Sequence, residues 1–239
     1  TLKGDAELSP EEARDVFFEG GDPAVVAAAL ASTLADTPVD YAVQPAEGRA
    51  KRLIVADMDS TIIGQECLDE LADFAGKKAQ VSAITERAMA GELDFEGALT
   101  VRVEMLTGLP LGALQQCFDQ RIRLNPGART LLATMRANGA HAALVSGGFT
   151  FFTSRVAEAA GFDEHHANRL MDDGAALTGA VARPILGREA KARTLHALCA
   201  ELGVGPDRAL AIGDGANDLD MIRAAGLGIA FHAKPVVAA

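Results

Sequence analysis

Tryptophan is absent from these 239 residues, tyrosine occurs once and cysteine three times. With so few large aromatics, stacking platforms for single-stranded nucleic acid are scarce. Cys67, Cys117 and Cys199 are odd in number and far apart, and no C-x-x-C pair occurs. A disulfide framework or a structural zinc site is therefore not expected, and reduced thiols in a cytoplasmic setting fit better. The five histidines show no metal-ligand spacing; His165 and His166 read as surface or strand. No apolar run approaches the roughly 20 residues needed to cross a bilayer, so no membrane partner is expected. The opening Thr-Leu-Lys-Gly-Asp has neither an initiator Met nor a signal-peptide apolar core, so the chain reads as trimmed or processed. Positive charge is also short. Against 33 acidic residues there are 22 basic ones, a net −11, which argues against nucleic acid as a partner. An anionic substrate would then need local positive charge from a metal or a few placed Lys and Arg.

What the chain does have is apolar residues, 49% of the total, and they are unevenly arranged. Residues 1–48 read as a mostly helical appendage. Ser9-Pro10-Glu11-Glu12 resembles a capped helix start, Asp22-Pro23 opens a second helix to Leu34, and 40–43 reads as extended. At Leu53 four apolar residues run straight into Asp57, with Asp59 two places on. A short run with no polar face predicts a parallel strand covered on both sides. Residues 64–123 then carry apolar residues at helical spacing in four pieces (67–74, 77–89, 95–106, 111–118), broken at Gly76, Gly91 and Gly108-Leu109-Pro110. Such a block after a strand that carries chemistry reads as a lid. An alternation follows: helix 126–138, strand 141–145, helix 149–160, a hairpin within 165–185 around Asp172-Asp173-Gly174, helix 188–202, strand 209–212, helix 217–225 and strand 227–231. This predicts an α/β fold with a doubly wound parallel sheet, its core formed by 49–63 and 124–239.

Three of the buried strands end in residues able to do chemistry: Asp57-x-Asp59, Ser146-Gly147-Gly148, and Gly213-Asp214-Gly215-x-Asn217-Asp218. Singly, Ser146-Gly147-Gly148 suits a tight turn as well as an anion cradle, and Asp214 and Asn217 suit helix caps as well as ligands. In a parallel sheet, however, all three loops converge on one edge. Crowded carboxylates there invite a hard, oxygen-preferring cation, and Mg²⁺ is the best match to Asp57, Asp59 and Asp214. Lys191 is a candidate phosphate-binding cation, although composition alone would leave it on a helix surface.

These residues resemble the motifs of the haloacid dehalogenase superfamily and, within it, of the phosphoserine phosphatase family. The resemblance runs from about Arg52 to Pro235: D-M-D-S-T at 57–61, V-S-G-G-F at 145–149, Lys191, and G-D-G-A-N-D at 213–218. It implies a Rossmann-like core with an inserted helical cap at 64–123. It also implies hydrolysis of O-phospho-L-serine, the last step of serine biosynthesis, through an aspartyl phosphate on Asp57. By the same resemblance Asp59 is the acid and base, and Mg²⁺ lies on Asp57, Asp214 and the backbone carbonyl of Asp59. Ser146, Gly147 and Lys191 bind phosphate, and Asn217 and Asp218 orient Lys191 and waters. In the cap, Glu66 meets the substrate ammonium, Arg102 its carboxylate, and Phe95 with Met89 closes the apolar side. Phosphotransfer to an acceptor such as homoserine, or hydrolysis of another small phosphoester, are the alternatives, and a homodimer is left open. Some members carry a ferredoxin-like domain in front, for which 1–48 reads as too short and too helical. Members usually continue past Lys234-Pro235 with a further short strand and helix, so either a trimmed sheet edge or a further C-terminal tail is expected.

Overall fold

The computed structural model describes residues 1–90, 92–233 and 237, with no account of the Met89 side chain. Met89 as part of the apolar wall, the break at Gly91 and the end of the resemblance at Lys234-Pro235 therefore lie outside the described residues. The chain divides into two units, Thr1–Ala50 and Lys51–Ala239.

The first unit corrects the expected helical appendage. It holds an antiparallel hairpin, β1 (Leu2–Ser9) and β2 (Ala13–Phe18), followed by one helix, α1 (Pro23–Leu34). Ser9 does bond Glu12, but not as a helix cap, whose hydroxyl would accept the Glu12 N–H: that N–H donates to the Ser9 carbonyl at 3.2 Å and Ser9 Oγ donates to Glu12 Oε2 at 2.8 Å. These local bonds close a turn. The flanking Val16, Phe17 and Phe18 favour a pleated surface over a helix. Asp22 caps α1 as expected, accepting from the Ala24 N–H at 2.8 Å. No strand forms at 40–43.

The second unit is built on a five-stranded parallel sheet. Its strands are β3 (Leu53–Ala56), β4 (His141–Phe149), β5 (Glu164–Asn168), β8 (Ala209–Gly213) and β9 (Leu227–Ala230), in the order β5-β4-β3-β8-β9. Between β5 and β8 lies a separate antiparallel hairpin, β6 (Leu170–Asp172) with β7 (Leu177–Val181). The sequence predicts the hairpin but only four parallel strands. The fifth, Glu-His-His-Ala-Asn, opens the stretch expected to be extended from 165, but it pairs with β4 at the sheet edge instead of joining the hairpin, a place that needs no continuous apolar run. Four helices, α2 (Cys67–Phe74), α3 (Lys78–Met89), α4 (Phe95–Glu104) and α5 (Gly112–Arg121), occupy the stretch after β3. The core helices are α6 (Ala128–Ala137), α7 (Thr150–Ala160), α8 (Arg188–Glu201) and α9 (Leu219–Ala224).

Both faces of the sheet are covered, which is why β3 has no polar face. Ile54, Ala56, Ala142, Leu144 and Ile212 join a core with Leu132, Phe152 and Val156, and this core continues into α2–α5 through Leu71, Leu99 and Val103. Leu53, Val55, Ala143, Val145 and Ala211 point the other way, onto Leu195, Leu198, Cys199 and Met221. The chain leaves β3 towards β4 and β5, then returns to the opposite side for β8 and β9. The topological switch therefore falls between β3 and β8, and a crevice is expected at their carboxyl ends. The passage into α2–α5 and the return lie side by side. Ile63 bridges Leu124, the Gly64 N–H donates to the Arg123 carbonyl at 3.3 Å, and Asn125 Nδ2 donates to the Thr61 carbonyl at 2.8 Å. Among the described residues no helix is long and apolar enough to cross a membrane.

Candidate active site

The switch point is where the acids gather. Asp57 leaves β3 with its N–H donating to the Ile212 carbonyl at 3.0 Å, which fixes it beside the end of β8. Asp57, Asp214 and Asp218 are all buried, and each offers a carboxylate oxygen within 4.8 Å of the others. Lys191, only 1% exposed, reaches in from α8 and places Nζ 2.6 Å from both Asp57 Oδ1 and Asp218 Oδ1. The lysine that composition alone would put on a surface is thus buried between two acids. Asp218 Oδ2 accepts the N–H groups of Asp214 (3.2 Å) and Gly215 (3.0 Å), tying the fourth motif into a tight loop. Thr61, given no role from the sequence, donates to Asp214 Oδ1 at 3.2 Å.

Burial pushes the Asp57 carboxyl well above the usual aspartate range; Asp218 and Asp214 push the same way and Lys191 opposes them. Burial alone would lower Lys191, but Asp218 and Asp57 raise it, so it stays charged. Three carboxylates against one ammonium leave two negative charges when all are ionised. A divalent, oxygen-preferring cation fits both that charge and that donor set. The Asp59 side chain is not part of this cluster: its Oδ1 accepts the Cys67 N–H at 3.1 Å at the start of α2. Burial raises the Asp59 carboxyl too, although the Cys67 hydrogen bond works against this.

A cavity of about 70 Å³ opens above these acids. That is several times the space one water needs. Asp57, Asp59, Ser146, Gly147 and Asn217 line its sheet side, and Glu66, Phe95 and Arg102 line it from the helices. At the end of β4, Ser146 Oγ accepts the Gly148 N–H at 2.9 Å. The phenyl ring of Phe95 lies against Gly147 and Gly187, where a Cβ would come within 2.7 and 3.3 Å of the ring; the missing Cβ at Gly147 is what lets the ring sit so close. Buried Asn168, at the end of β5, donates to the Gly147 carbonyl (2.8 Å) and the Leu186 carbonyl (3.1 Å) and accepts the Leu186 N–H (2.7 Å). It thereby fixes the second motif against the approach to the Lys191 helix. A lone Asn ending an unrecognised strand gave no signal of this.

Glu66 accepts from Ser60 Oγ at 2.6 Å, and burial raises its carboxyl well above the ordinary value of 4.5, with Asp59 adding to the effect. Ionising a group so raised costs folding stability. The cost is absent below the ordinary value and grows as pH rises through it. Glu66→Gln keeps the acceptor for Ser60 and removes the charge. With chelator present, its Tm should exceed that of the parent at about pH 8, the gap closing towards about pH 4.5. A gap that stays constant across that range would show that the Glu66 charge is not under strain. Arg102, on α4, donates from Nε to the Ala98 carbonyl at 3.0 Å and from Nη1 to Thr85 Oγ1 at 2.8 Å. The site therefore faces a phosphate-sized cradle on one side and one carboxylate plus one guanidinium on the other.

Comparison with known proteins agrees with this geometry. Residues 54–223 match the family model described as haloacid dehalogenase-like hydrolase. A phosphoserine phosphatase from Polaromonas sp. (strain JS666) is 47% identical over 191 residues, 78% of this chain and 81% of that one. A solved structure described as a phospho-aspartyl intermediate analogue of phosphoserine phosphatase is 38% identical, with a TM-score of 0.76, and the match covers 80% of this chain and 90% of that one. A substrate-bound phosphoserine phosphatase complex is also 38% identical at a TM-score of 0.76, covering 79% and 89% of the two chains. The chain belongs to the haloacid dehalogenase-like hydrolases and, within them, to the phosphoserine phosphatase group.

Proposed function

We propose that this protein hydrolyses O-phospho-L-serine to L-serine and phosphate through an aspartyl phosphate on Asp57. The observation that carries this reading is the pairing, across one small cavity, of Asp57, Ser146 and Gly147 with Glu66 and Arg102. A free amino acid presents one ammonium and one carboxylate, and these two side chains match them. An Asp57 oxygen attacks phosphorus as the ester bond breaks, and the departing serine oxygen takes its proton from Asp59. Asp59, now a carboxylate, takes a proton from water as that water attacks the acyl phosphate, releasing phosphate and free Asp57. Serving both steps calls for a raised carboxyl, and burial of Asp59 works in that direction. Lys191, the Ser146 hydroxyl and the Gly147 N–H hold the charge spreading over the phosphoryl oxygens. Asp57 and Asp214, with Asp218 behind them, would hold Mg²⁺, which when bound screens the repulsion between carboxylate and phosphate. Asn217, on the cavity wall, helps orient the phosphate.

We read α2–α5 as a lid that excludes water and selects the substrate. Release of free serine makes the reaction the last step of serine biosynthesis. The three thiols, all buried and free, suit the reducing cytoplasm. The test is phosphate release from phosphoserine with Mg²⁺ and with EDTA, repeated with Arg102→Ala. The variant should raise KM for phosphoserine by about 100-fold or more, the loss of a charge-assisted pair. Turnover of p-nitrophenyl phosphate, which has no carboxylate, should change by less than about threefold. Equal losses on the two substrates would remove Arg102 from this role.

A further inference from the structure

Three helices of the lid each contribute one buried polar residue to a chain that ends on Arg102. Arg102 Nη1 donates to Thr85 Oγ1 at 2.8 Å, and Thr85 Oγ1 lies 2.6 Å from Asp69 Oδ1. Asp69 is on α2, Thr85 on α3 and Arg102 on α4; they are 8%, 2% and 6% exposed. The direction of the bonds is fixed by chemistry. A guanidinium only donates and a carboxylate only accepts, so the hydroxyl between them accepts from Arg102 and gives its single proton to Asp69. The Val81 carbonyl, at 3.1 Å from Thr85 Oγ1, is the longer alternative for that proton.

We propose that Thr85 and Asp69 are positioning residues that set the substrate preference of the lid by holding the Arg102 guanidinium ready for the substrate carboxylate. This rests on the reading of Arg102 given above. A direct Arg102–Asp69 pair would occupy the planar fork that a carboxylate ligand needs. Interposing Thr85 keeps the counter-charge one hydrogen bond away, so Asp69 offsets a buried cation without filling its binding edge. Nε is anchored on the Ala98 carbonyl and one Nη1 proton on Thr85. Among the described residues Nη2 has no partner, and Arg102 and Thr85 both line the cavity. A fork held at two points loses little freedom when a carboxylate arrives. Burial works to lower Arg102, and Asp69 is the foremost of the groups opposing it.

The test separates positioning from simple satisfaction of a buried arginine. Thr85→Val keeps the shape and removes the hydroxyl. KM for phosphoserine should rise about 10- to 100-fold with kcat lowered far less, while kcat/KM for p-nitrophenyl phosphate stays within about threefold. Thr85→Ser should restore KM to within about threefold of the parent. Asp69→Asn keeps the acceptor and loses the charge; a rise in KM of about 3- to 10-fold is expected, and it keeps the test open should Val not fold at position 85. Unchanged KM in the folded variants, equal losses on both substrates, or no rescue by Ser would each overturn the proposal. Arg102→Ala, assayed in parallel, separates the two levels: if Arg102→Ala discriminates between the substrates and the Thr85 and Asp69 variants do not, only the positioning role falls. If Arg102→Ala does not discriminate either, the reading of the lid falls with it.

Discussion

Asp57→Asn should fold normally and release phosphate from phosphoserine about ten-thousand-fold more slowly or worse. The expectation follows from what the exchange removes and what it keeps. Asp57 Oδ1 accepts from Lys191 Nζ at 2.6 Å, and an Asn oxygen in the same place accepts equally well. The backbone bond to Ile212 is unaffected by the side chain. What disappears is one of three buried carboxylates in a cluster where burial and the two neighbouring acids already work against ionisation. The Tm should therefore be unchanged or higher, while the carboxylate proposed as the nucleophile is replaced by a non-nucleophilic amide. Labelled phosphate trapped on the parent by acid quench should be absent from the variant. Activity within about tenfold of the parent, or a label retained on the Asn protein, would move the nucleophile elsewhere.

The second large effect is on stability as well as rate. Lys191→Met fills similar space with no charge and leaves Asp57 and Asp218 facing each other, buried, without their shared ammonium. Removing one partner of a buried ionic group costs about 3–5 kcal/mol, because the remaining charges have no compensation. In a chain of this size that is a fall in Tm on the order of 10 °C, measured near neutral pH without metal. The loss should shrink on acidification. Asp57 is raised in the folded state, so as pH falls it takes up a proton before its unfolded counterpart and the uncompensated charge disappears. Added Mg²⁺ should recover part of the stability, since it neutralises the same carboxylates. Phosphate release should fall about a thousandfold or more, because the cation proposed to hold the transferring oxygens is missing. A variant as stable as the parent at neutral pH would mean that the cluster is not ionised as drawn.

Much of this molecule was determined locally and is legible in the chain. Leu53 to Ala56 reads as a strand buried on both faces because the apolar run is too short for a buried helix and passes straight into Asp57. Once Asp57, Ser146 and Asp214 each followed such a strand, parallel pairing sent all three to one edge. The convergence of these three loops thus followed from order alone. The failures are equally local. Ser9-Pro10-Glu11-Glu12 has the residues of a helix start, yet Ser9 and Glu12 bond as a turn and the segment becomes a hairpin, a choice that lies with Val16, Phe17 and Phe18. Glu164–Asn168 lies in a stretch that reads as extended, but its pairing in the parallel sheet is not legible, because a place at the sheet edge asks little of its composition.

Only the tertiary structure decided the rest. Lys191 is an ordinary helix lysine until α8 packs on the sheet and pushes Nζ between two acids. Asp218, not the Asp59 side chain, completes the carboxylate cluster, because the Asp59 side chain is turned towards the Cys67 N–H. Asn168, Thr85 and Asp69 carry no motif and act through bonds to residues 16 to 21 positions away. Sequence determines which groups sit at the ends of its own strands, since chain geometry delivers them there. Which distant hydroxyl or carboxylate meets an arginine in the dark interior is set by how helices pack, and that is written in no single stretch of residues.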